Sequence, residues 1–90
     1  MRNAGSGGYG APIILASGFS SPGGVAADAG GNLFVADPGN NKVWEVPYAN
    51  GSYGSAVTVG SGYLAPFDVA VDRLGRVYVF DSASIWQLTP

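Results

Sequence analysis

The chain has 90 residues, a net charge of −2 and 11% charged residues, against about 25% in ordinary globular domains. It contains no Cys and no His, which excludes disulfides, zinc fingers, haem ligation and Ser-His or Cys-His catalysis. A hydrophobic fraction of 47% argues against disorder, but a chain this short buries only about 60% of its unfolded surface, so support from other chains is expected.

Residues 1–8 carry no apolar stretch and read as a flexible linker, not a secretory signal. Ile13–Ala16 is a short apolar run closed by Ser17-Gly18, the first expected strand. Gly24–Asp28 is a short flat strand with the small Ala26 at its centre. Leu33–Asp37 is rich in branched and aromatic residues, and Lys42–Pro47 alternates polar and apolar. Tyr48–Gly54 reads as a linker, and the same strand types then return as Val57–Gly60, Asp68–Asp72, Val77–Asp81 and Ile85–Thr89. Asp28, Gly31 and Asn32 mark one hairpin turn, Asp37, Asn40 and Asn41 the next, and Asp72, Gly75 and Asp81 their counterparts. Asp caps free backbone N–H groups at such sites, and Gly or Asn accepts positive φ. No segment has helical periodicity with a cap, so the class is all-β.

The chain repeats itself. Tyr9-Gly10 recurs as Tyr53-Gly54, Val25-Ala26 as Val69-Ala70, Asp28 as Asp72, Gly31 as Gly75, Val35 as Val79 and Asp37 as Asp81, all 44 positions on. The copies therefore span residues 9–52 and 53–90. After Asp81 the second copy is two residues shorter, having lost the Asn40-Asn41 loop, and Trp44 matches Trp86. A unit of this length with four strands is the size of one β-propeller blade. The stretch Pro22-Gly23-Gly24-Val25-Ala26-Ala27-Asp28, continuing through Gly31-Asn32-Leu33-Phe34-Val35-Ala36-Asp37 to Asn40-Asn41-Lys42-Val43, resembles the NHL repeat. The resemblance implies a propeller, usually six-bladed, with the Gly24–Asp28 type of strand innermost around a channel. It implies a scaffold more than a chemistry.

Two isolated blades would leave apolar sheet faces bare. The expected architecture is two four-stranded blades that exchange strands between chains, Ile13–Ala16 of one chain adding to Ile85–Thr89 of its neighbour. Six blades then make a homotrimer, with an eight-bladed tetramer as the alternative. Val25, Val35 and Trp44, with Val69, Val79 and Trp86, are assigned to blade packing. Lys42 and Glu45 are read as a solvated outer face. Asp68 stands where the first copy has Gly24, and the resemblance puts it near the channel mouth, so it is the candidate metal ligand.

The leading functional reading is a non-catalytic propeller module that assembles with itself, needs no cofactor and offers loops or a channel for binding. The alternatives are a fragment, designed chain or repeat-expansion intermediate without evolved activity, and a metal-dependent propeller hydrolase or lyase. Four basic residues make nucleic acid an unsuitable partner, and no apolar run reaches the roughly 20 residues that span a membrane.

Overall fold

The computed structural model describes residues 17–20 and 22–90; the expected linker 1–8 and the expected strand Ile13–Ala16 lie outside them. The described residues form nine strands and one short 3-10 turn, with no α-helix. In chain order these are β1 (Gly24–Ala27), β2 (Leu33–Asp37), the 3-10 turn Pro38–Asn40, β3 (Lys42–Val46), β4 (Tyr48–Ala49) and β5 (Ser52–Tyr53). They continue with β6 (Val57–Thr58), β7 (Asp68–Val71), β8 (Val77–Phe80) and β9 (Ile85–Leu88). The described residues are all-β, as their alternating branched residues require.

β1, β2, β3 and β6 make one antiparallel sheet in that order, and β7, β8 and β9 make a second. Val25 pairs with Val35 and Val35 with Trp44; Val69 pairs with Val79 and Val79 with Trp86. The two copies therefore have the same internal register. The fourth strand of the first sheet, β6, is taken from the start of the second copy. The expected second four-stranded blade has three strands among the described residues, β7, β8 and β9.

The segment expected as a linker is structured. Tyr48 pairs with Tyr53 in a two-stranded hairpin, turned by Asn50 and Gly51, whose φ values of 53° and 83° suit a type I′ turn. Their rings lie 4.8 Å apart.

The core lies between the sheets. Phe34, Ala36 and Val43 of the first blade meet Val69, Val77 and Val79 of the second, with Tyr63 closing one side. Period-2 alternation then decides which residues stay outside. Val25 shares a face with Val35 and Trp44, opposite to the one that meets the second blade. Within this chain Val25 is 62% exposed, whereas its counterpart Val69 is 5% exposed. The expected packing role of Val25 is therefore not realised by the described residues, because its side chain points away from the seam with the second blade. Trp86 is also more open than expected, at 37%. Glu45 is corrected in the other direction. It is half-buried opposite Phe34 and faces the second blade.

Val79 is fully buried in this seam. Val79→Ala is expected to lower stability by about 2 kcal/mol in urea unfolding, the cost of a partly collapsed cavity. Leu74→Ala, on an exposed turn, should change it by less than about 0.5 kcal/mol.

Candidate functional site

The turns that shape both ends of the blades are built on carboxylates. Asp28 accepts N–H bonds from Gly30 and Asn32, each 2.9 Å, and the Asn32 amide at 2.9 Å. Gly31 takes φ of 91° to close this turn. Burial pushes the Asp28 carboxyl up, but the Asn32 and Gly30 bonds outweigh it and hold the group below its usual range. Asn32 also accepts the Tyr48 N–H at 2.8 Å, tying the hairpin to the turn. In the second copy Asp72 accepts the N–H groups of Leu74 and Arg76, and Gly75 has φ of 82°. Arg76 stands where Asn32 stood and forms a 2.6 Å ion pair with Asp72, which also accepts the Tyr78 hydroxyl. Burial raises the Asp72 pKa and these donors more than reverse that, bringing it to about 2.

Asp37 and Asp81 do more than cap their own turns. Asp37 accepts the Ser20 N–H, the Asn40 amide and the Trp44 indole N–H at 2.9–3.2 Å. Asp81 accepts the N–H groups of Ala83, Ser84 and Leu64, and the Trp86 indole N–H at 2.7 Å. Each carboxylate thus joins the end of the second strand type, the tryptophan of the third and the loop entering the blade. The Leu64 N–H is the largest cause holding the Asp81 carboxyl down at about 2, against burial, with Trp86 adding to it. Both tryptophans act as half-exposed latches, Trp44 edge-on to Phe19 and Trp86 edge-on to Tyr63. Sequence reasoning missed this pairing. Its signal was an Asp shortly before a Trp in both copies, since an indole N–H removed from water needs an acceptor.

Asn41, in the left-handed region at φ of 54°, accepts the Ala65 N–H at 2.8 Å and so links the two blades. Its loop is absent from the second copy. Asp68, the candidate metal ligand, begins β7, is exposed, and accepts the N–H of Val69. A Cβ on Gly24 would collide with its carboxylate, which explains glycine at the matching place in the first copy. No group of three or more acidic side chains surrounds it among the described residues; one carboxylate alone is not a metal site.

A cavity of about 310 Å³ opens between the blades at the end opposite the Asp37 and Asp81 latches. Phe34, Val59, Val77 and Leu88 form its apolar wall, and Asp28, Glu45 and Thr89 its polar edge.

With this register and these turns in place, comparison with known families finds the NHL repeat over residues 19–45. The chain carries an NHL repeat. The match covers β1, β2 and most of β3, with both the Asp28 turn and the Asp37 latch inside it. None of the curated proteins compared matches the chain. An NHL repeat with this sheet order suggests a β-propeller interaction module, and the second sheet repeats its register strand for strand.

The low carboxyl values have a pH consequence. Asp72 and Asp81 lie at about 2 when folded, against 3.8 unperturbed. A depressed folded value stabilises the fold above the unfolded pKa, and that stabilisation is lost as pH falls through the folded one. The urea midpoint is expected to be level from about pH 7 to 5 and to fall between about pH 4 and 2. Asp81→Asn should start from a lower midpoint and fall less steeply with acid. An acid limb as steep as the parent's would remove Asp81 from this account.

Proposed function

We propose that the chain is a non-catalytic NHL-repeat module that completes a propeller ring with copies of itself and presents the ring's loops and channel for binding. One observation carries this reading. The face of the first blade that carries Val35 and Trp44 and leaves Val25 62% exposed is the same face by register that the second blade buries through Val69 and Val79. Conversely, the face the second blade leaves open, with Ala70, Tyr78, Phe80 and Ile85, matches the one that the first blade buries through Ala26, Phe34, Ala36 and Val43. The contact already made inside the chain can therefore be repeated between chains, second blade to first blade, with no new kind of surface. Ile85, 71% exposed at the open end, takes the place of the fully buried Val43.

The strand edges point the same way. β3 is flanked by β2 and β6, whereas β9 is flanked by β8 alone among the described residues. By the repeat, residues 13–16 of a neighbouring copy, which lie outside the described residues, match β6 in sequence and are the segment this reading would add beside β9. Three chains give six blades. Asp68 then recurs three times around the channel, which is the only arrangement in which this reading gives it a cation to hold.

Light scattering of the 9.1 kDa chain is expected to give about 27 kDa, the mass of a closed three-chain ring. Ile85→Lys should break the ring, because it places a charge in the junction. A well-folded monomer, or an Ile85→Lys variant with unchanged mass, would refute self-assembly.

A further inference from the structure

The cavity between the blades has a chemistry that the repeat itself brings out. Its edge is formed by four positions of the first copy: Asp28, Asn32 behind it, Phe34 and Glu45. The same positions in the second copy are Asp72, Arg76, Tyr78 and Gln87. In the second copy the set is neutral and closed: Arg76 pairs with Asp72, and the Tyr78 hydroxyl bonds to the same carboxylate. In the first copy there are two carboxylates, no cation and no hydroxyl. Asp28 is occupied by its turn. Glu45 is half-buried at the cavity, and among the described residues its carboxylate has neither hydrogen bond nor ion pair. Across the cavity from this edge stands an aliphatic wall from the other blade, Val77 and Leu88, with Phe34 alongside.

A carboxylate with no partner among the described residues, set beside an apolar hollow, suits an organic ammonium ion whose carbon skeleton fills the hollow. The volume of about 310 Å³ lies at the lower end of the roughly 300–1,000 Å³ of small-molecule sites, enough for one ring and a short chain. We propose that the inter-blade cavity is a binding site for a small hydrophobic ammonium ion, held by Glu45 and seated on Phe34, Val77 and Leu88. Both walls belong to one chain, so the site does not require the ring. By the repeat, the junction between chains would carry Gln87 and Tyr78 at these places and would not bind. A closed ring therefore has one such site per chain, at alternate junctions.

The test uses the full chain and 2-phenylethylammonium as probe, with 2-phenylethanol as its uncharged counterpart, followed by methyl NMR. Saturable shifts of the Val77 and Leu88 methyl signals are expected with the ammonium ion, and about tenfold weaker binding of the alcohol. Glu45→Gln, which installs the residue found in the second copy, should weaken the ammonium ion by about the same factor and leave the alcohol unchanged. Failure of the ammonium ion to shift these methyls, equal binding of the two probes, or equal binding by Glu45→Gln would each overturn the proposal. If Glu45→Gln does not fold, the comparison of the two probes on the parent chain decides alone. Light scattering on the same samples keeps this outcome separate from self-assembly, since Glu45 faces the seam within one chain.

Discussion

Phe34, Ala36 and Val43 on one sheet meet Val69, Val77 and Val79 on the other, and the rest of the chain is arranged around that contact. A twisted sheet of branched residues has two faces, and with so few charged residues neither face here can be made fully polar. Packing two such sheets satisfies one face of each. The two faces turned away from this contact are not alike, because the chain contains the same strand register twice. That property separates a heterologous contact, which closes into a ring or runs on as a filament, from a twofold one. The two blades approach closely where they begin: a Cβ on Gly23 would lie 2.9 Å from the Phe67 carbonyl oxygen.

Polar groups hold the blades in shape without adding driving force. Asp37 and Asp81 each gather donors from three separate pieces of chain. No buried side-chain nitrogen or oxygen among the described residues lacks a partner. In so thin a core a bare carboxylate would cost more than any single apolar contact returns. The latches therefore let a charged residue sit at the end of a buried strand. They also fix the loops that a binding face would use, and that rigidity is what a scaffold needs. Asn41 adds one bond between blades, and the second copy has no equivalent.

Much of this was legible in the residues because it is local. The turn roles of Asp28, Gly31, Asn32, Asp72 and Gly75 follow from hydrogen bonds within a few positions and from positive φ. Strand positions followed from alternation and were correct to one or two residues for Leu33–Asp37, Lys42–Val46 and Val77–Phe80. What sequence alone could not supply was direction. Alternation placed Val25 and Glu45 on opposite faces but did not say which face met the second blade, so Val25 was expected inside and Glu45 outside. The hairpin at residues 48–53 was missed because Asn50-Gly51, a type I′ turn signal, lies between strands too short to show a period. The indole-to-carboxylate bonds were missed because their residues were assigned singly, Asp to turns and Trp to packing.

In the proposed ring β9 is flanked on both sides, as β3 is in the first blade. In the first blade the Val59 N–H donates to the Val43 carbonyl, so Val43 and Glu45 direct their backbone groups towards the fourth strand. Ile85 and Gln87 hold those places in β9. Hydrogen exchange at the Gln87 amide therefore reads the missing strand directly. Protection comparable to that of the Val79 amide in the core, lost on dilution to monomer, is the predicted result. Exchange of Gln87 at the rate of an unpaired exposed amide, while Val79 stays protected at every concentration, would contradict the account.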